Sequence, residues 1–101
     1  MHDGDVPITA ARFSAVARLL ADEARRRGLA APGFRSPPRL PDAPRTIRRH
    51  GTSSVVAVRR AGRTADEVIA DMVEGVLVAN RVSGADAERW RAELAASATL
   101  D

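Results

Sequence analysis

The sequence predicts a small α+β domain, with a helix, an extended Pro/Arg-rich segment, a β-hairpin and two further helices in that order. Three observations carry the prediction. Apolar residues recur at helical spacing in stretches that begin with N-capping residues. A short valine-rich run lies between turn residues, as a strand does. Five of the six prolines fall between residues 30 and 44, which excludes a helix there. With 101 residues, the chain is one domain on length grounds, numbered 1–101, and can bury a modest core unaided.

Residues 1–7 read as a frayed tail. The first helix is expected from about Thr9 to Arg27. Thr9 is a good N-cap, and Phe13, Val16, Ala17, Leu20 and Ala24 make one apolar stripe. Arg25, Arg26 and Arg27 complement the dipole at its end, Gly28 suits the C′ position, and Leu29 suits the contact of a Schellman ending.

Residues 30–44 are expected to be extended and to lie across the surface, pinned by Phe34 and Leu40. Pro38, Pro41 and Pro44 recur at the three-residue period of polyproline II. Arg35-x-x-Pro38-x-x-Pro41 also fits the pattern that SH3-type domains bind. A connector packed on its own domain is the expected use of this stretch.

Arg45–His50 and Ser53–Arg59 read as a hairpin turning at Gly51-Thr52. The second strand is the stronger, with Val55, Val56 and Val58. Thr64-Ala-Asp-Glu67 is a capping box that opens the second main helix. Val68, Ile69, Met72, Val73, Val76 and Leu77 give that helix a broad apolar face through about Ala79. Gly75 interrupts it at a cost of roughly 1 kcal/mol relative to Ala, which a close approach by another backbone would justify. The face is wider than one short helix and a hairpin would cover, so a homodimer through helix 64–81 is expected. Ser83 caps a third helix whose buried stripe is Ala87, Trp90 and Leu94, with Glu88–Arg91 and Arg89–Glu93 as surface pairs.

All sixteen basic residues are arginine, and alanine is abundant, which points to GC-rich coding. The sequence pI of about 11.2 overstates a net charge of +3, because almost nothing titrates between the carboxylates and arginine. The placement of charge is more telling. Residues 34–63 hold eight arginines and one acid, whereas residues 64–101 hold three arginines and eight acids. The middle is therefore basic and the last third acidic.

Catalytic signatures are missing from the sequence, and the chain is expected not to be an enzyme. His2 lies in the tail and His50 beside a turn; Ser53 and Ser54 near it lack the G-x-S-x-G elbow and read as solvated turn residues. Cysteine is absent and the two histidines are far apart, so no zinc spacing exists. Asp66, Glu67, Asp71 and Glu74 read as a solvated helix face rather than a metal site. Phosphate loops are absent, and Asp66 and Glu67 would repel an anion from the start of the second helix. No cofactor and no metal are expected. No apolar run is long enough for a membrane span, and the acidic N-terminus is not a secretory signal, so a cytoplasmic protein without membrane contact is expected.

The arginine-rich region is the candidate binding site. Phe34, Arg35 and Arg39 come from the extended segment, Arg45, Arg48 and Arg49 from the first hairpin strand, and Arg59, Arg60 and Arg63 from the end of the second. They predict an accessory protein that docks on a larger protein partner. The alternative is a nucleic-acid-binding accessory protein with the same arginines on phosphates, although Phe34 is the sole aromatic available for stacking. A competing expectation is that Arg45, Arg48, Arg49, Arg59, Arg60 and Arg63 pair with the acidic C-terminal helices of the same domain.

At Pro32-Gly33-Phe34-Arg35-Ser36-Pro37-Pro38-Arg39, Arg45-Thr46-Ile47-Arg48-Arg49 and Ala70-Asp71-Met72-Val73-Glu74-Gly75-Val76, the chain resembles a group of small uncharacterised proteins of GC-rich bacteria. The likeness runs over roughly residues 12–95. It implies a small stand-alone protein and no activity, cofactor or site residue.

Overall fold

A computed structural model describes residues 3–37, 45–50 and 53–98; of Asp3, Arg45, residues 47–50 and Ser53 it describes the backbone alone. The α+β class holds. A 3-10 turn at Asp3–Asp5 leads into α1 (Ala10–Arg26). Then follow β1 (Gly33–Arg35), β2 (Arg45–His50), β3 (Ser53–Ala57), α2 (Ala65–Ala79) and α3 (Gly84–Ala98).

The caps expected at Thr9 and Thr64 form. The Thr9 hydroxyl accepts the N–H of Arg12 at 3.1 Å, and Thr64 and Glu67 make a reciprocal capping box. α1 ends in a Schellman motif: Gly28 adopts φ +75°, its N–H donates to the Arg25 carbonyl, and the Leu29 N–H donates to Ala24 at 2.8 Å. α2 ends the same way without a glycine. Arg81 takes φ +55°, and the N–H of Val82 reaches the Leu77 carbonyl at 3.0 Å. A Cβ in left-handed backbone costs about 1–2 kcal/mol, so this turn is strained where Gly28 is not.

The sheet has the order β1-β3-β2. β2 and β3 pair antiparallel, as expected of the hairpin, with an irregularity between Thr46 and Arg48. The turn itself, Gly51-Thr52, lies outside the described residues. β1 was not expected as a strand. It is three residues long and pairs parallel to β3, setting Phe34 opposite Val56. Its position explains why the prolines tolerate it: β1 is an edge strand, and Pro32 and Pro37 flank it rather than interrupt the ladder. The polyproline register at Pro38, Pro41 and Pro44, the SH3-type pattern that runs through Pro38 and Pro41, and the Leu40 anchor lie outside the described residues.

Residues 3–8, expected to fray up to residue 7, run against the start of α2. Pro7 bridges Thr64, the Ala65 N–H donates to the Val6 carbonyl at 2.8 Å, and Gly4 lies against the Asp66 carboxylate.

α2 is the centre of the domain. It touches β2 and β3, α1, α3 and the N-terminal turn. Val68, Met72 and Val76 are fully buried, and Ile69, Val73 and Leu77 nearly so. The excess apolar face that prompted the expectation of a homodimer through 64–81 is therefore covered within the chain; among the described residues of α2, Val78 is the exposed large apolar side chain. Besides the third helix and the hairpin, α1, the N-terminal turn and Phe34 of β1 lie on it.

Gly75 is the point of closest approach. A Cβ there would meet Val56 Cγ1 at 2.7 Å and Phe34 Cε1 at 3.2 Å. The close approach is real, but side chains of the sheet make it, not backbone. A second fastening joins α1 to α2. The Asn80 side chain accepts the Ala30 N–H at 2.8 Å and donates to the Ala30 carbonyl at 2.9 Å, as a paired peptide unit would. It thereby fixes the chain that runs from α1 into β1.

Two measurements check this account. Gly75→Ala gains about 1 kcal/mol of helix propensity but overpacks the sheet by typically 1–3 kcal/mol, so urea unfolding should show a net loss. Introduced into Val56→Ala, the same change should recover stability; a loss of equal size in both backgrounds would mean that Val56 is not the obstacle. Arg81→Gly relieves the left-handed strain and should raise the urea midpoint, worth about 0.5–1 kcal/mol after the added chain entropy.

Candidate functional site

The arginines grouped by sequence do not share one fate. Arg63 precedes α2 and is turned onto it. Its guanidinium, 13 % exposed, pairs with Asp71 and lies 3.6 Å from Glu67, and it donates to the Arg59 carbonyl at 3.2 Å. The hydrogen bond to Asp71 holds the Arg63 guanidinium above its ordinary value, against the cost of burial, and the charges of Asp71 and Glu67 add to this. Arg63 is therefore a structural group that ties the β3–α2 connection to the helix.

The acids of the C-terminal third are largely committed. Glu74 takes Arg91, with one contact of 3.1 Å; Glu93 takes Arg27 and lies 3.9 Å from Arg89; Asp86 lies 3.3 Å from Arg89. None of these arginines belongs to residues 34–63. Arg91 was expected to pair with Glu88 on its own helix; the hydrogen bonds go across to α2 instead, because the packing of α3 on α2 brings Glu74 within reach. Asp71 and Glu74 are half-buried ion-pair partners rather than a freely solvated face.

The rest of the candidate site falls into two parts. Phe34 sits at the middle of β1, half-buried against the core and Gly75. Arg35 follows it, exposed, with its Cα opposite Ala57, and its carbonyl accepts the Val58 N–H at 2.8 Å. Arg45 and Arg48 stand across β3 opposite Ala57 and Val55, and Arg49 opposite Ser54. Arg35, Ala57 and Arg45 thus form one cross-strand row. Arg59 and Arg60 are half-buried in the turn after β3, and the Arg60 N–H donates to Ser36 Oγ at 2.9 Å. Arg39 lies outside the described residues.

Arg35 and Arg60 are brought to one open hollow beside the start of α1, which Ser14 and Ser36 also line. Sequence reasoning missed both serines. Ser14 lies on the outer side of α1, and no spacing rule connects it to residues twenty or more positions away. Ser54, read as a solvated turn residue, is buried within β3. Among the described residues, no group of three or more His, Asp or Glu side chains is placed to hold a metal. No helix of the described residues is long and apolar enough to cross a membrane.

Glu67 gives this region a pH dependence. Hydrogen bonds from the Thr64 hydroxyl and N–H, then Arg63, hold its carboxyl below the ordinary carboxylate value. A carboxyl lowered in the folded state stabilises the fold above its unfolded value, and this contribution disappears as pH falls through the folded value. Glu67→Gln should therefore lower the unfolding midpoint at neutral pH and narrow its gap to the parent as pH falls below the ordinary glutamate value. A gap independent of pH would show that the carboxylate charge is not involved. Compared with family models, with curated proteins and with solved structures, the chain matches none, so geometry and charge carry the reading of this site.

Proposed function

We propose that this chain is a binding protein without chemistry of its own, which docks an acidic protein partner on the arginine-bearing sheet and the segment leading into it. One observation carries the reading. Glu74, Glu93 and Asp86 are engaged by Arg91, Arg27 and Arg89, arginines outside residues 34–63, and Asp71 and Glu67 are engaged by Arg63. Arg63 supports the competing expectation that the acidic third neutralises the basic middle, while Glu74, Glu93 and Asp86 are taken up by arginines outside the middle. Arg35 is exposed at the end of an edge strand, and the strand positions of Arg45 and Arg48 lie across β3 from β1. Arginines fixed on paired strands lose less freedom on binding a carboxylate than arginines on a loose tail.

Nucleic acid is the weaker reading. Phe34, the aromatic residue of the segment, is packed against Gly75 and the core, so it offers a poor platform for a stacked base.

A tagged full-length chain should retain a stoichiometric protein partner in a pull-down from its source cell. Arg35→Glu combined with Arg48→Glu on the neighbouring strand should abolish that capture, whereas Arg18→Glu on α1 should leave it intact. Retention by the double variant would remove the sheet as the docking site. Salt-sensitive binding to generic duplex at low ionic strength would favour phosphates instead.

A further inference from the structure

We propose that the hollow between α1 and the β1 end is a binding site for a small phosphomonoester carrying an apolar or aromatic group. The proposal goes beyond the docking reading, since it needs Arg60 and the serines at a concave site rather than the flat sheet, and either can fail alone.

The hollow has a volume of about 430 Å³, in the range of small-molecule sites and larger than a bare phosphate needs. Two arginines line it from different elements, Arg35 from the end of β1 and Arg60 from the turn after β3. Their backbones are tied together: the Arg60 N–H donates to Ser36 Oγ, and the Val58 N–H donates to the Arg35 carbonyl. The site is thus built on a fixed frame. Because Ser36 Oγ accepts from Arg60, its own hydrogen remains a donor, and Ser14 offers a second hydroxyl.

This set of donors matches a phosphate monoester. Two fixed positive charges complement a dianion, and guanidinium forks engage paired phosphate oxygens, with hydroxyls left for the remaining one. Phe13, Phe34 and Pro37 supply an apolar wall beside the charges, suited to the ester group. The electrostatics of the neighbouring helix agree. Ala10, the first residue of α1, borders the hollow, and the first turn of α1 carries no acid, whereas that of α2 carries Asp66 and Glu67. An anion is therefore repelled at α2 and not at α1.

Phenyl phosphate and inorganic phosphate are the probes, titrated into the full chain by calorimetry and by amide NMR shifts. Saturable one-to-one binding of phenyl phosphate is expected, at least about tenfold tighter than inorganic phosphate. Arg35→Gln and Arg60→Gln should each weaken it about tenfold or more, and Arg18→Gln should not. Should a variant fail to fold, the parent decides: shifts should centre on Ser14, Phe34 and Ser36. Shifts centred elsewhere, equal weakening by Arg18→Gln, no saturation at millimolar ligand, or equal affinity for both probes would each overturn the proposal.

Discussion

The fold depends on the contact between the backbone of α2 at Gly75 and the side chains of Val56 and Phe34. Gly75 has no Cβ, so the helix lies close on the sheet, and Val56 is fully buried beneath it. Burial of an apolar side chain of this size is worth roughly 1.5–3 kcal/mol. The contact also explains why a strand of only three residues persists at the sheet edge. Phe34 is held on one side by α2 and on the other by its register with Val56, so β1 is fixed by packing more than by its few hydrogen bonds. With β1 fixed, Arg35 and Ser36 have defined places.

Around this contact the charges divide by function. Arg63, Arg27 and Arg91 join elements that packing has already brought together: the β3–α2 turn to α2, α1 to α3, and α3 to α2. Such pairs, half-exposed at most of their partners, add modest stability and mainly fix orientation. Arg35, exposed at the end of the edge strand β1, is not among these fasteners.

Much of the architecture could be read from local patterns. Thr9, the Gly28 ending and the Thr64–Glu67 box act within a few residues, so sequence shows them directly. β1 and residues 3–8 could not be read, because their partners are Val55–Ala57 and Arg63–Ala65, far along the chain. Arg63 was legible in principle. Glu67 and Asp71 follow it at four and eight residues, one stripe of the helix that begins beside it, and that spacing pointed to an internal partner. The hollow was not legible, since Ser14, Ser36 and Arg60 meet only through the packing of α1 beside β1 and the β3–α2 turn.

The bridge between Pro7 and Thr64 sets an order of events during synthesis. Residues 6–8 leave the ribosome well before the groups they pair with, Arg63 to Ala65, are made. α1 waits in the same way, because the Asn80 amide that holds Ala30 arrives later still. Loop closure over such separations is costly before packing rewards it. The N-terminal half therefore has little to fold onto by itself, and the domain assembles when α2 emerges and gathers what preceded it.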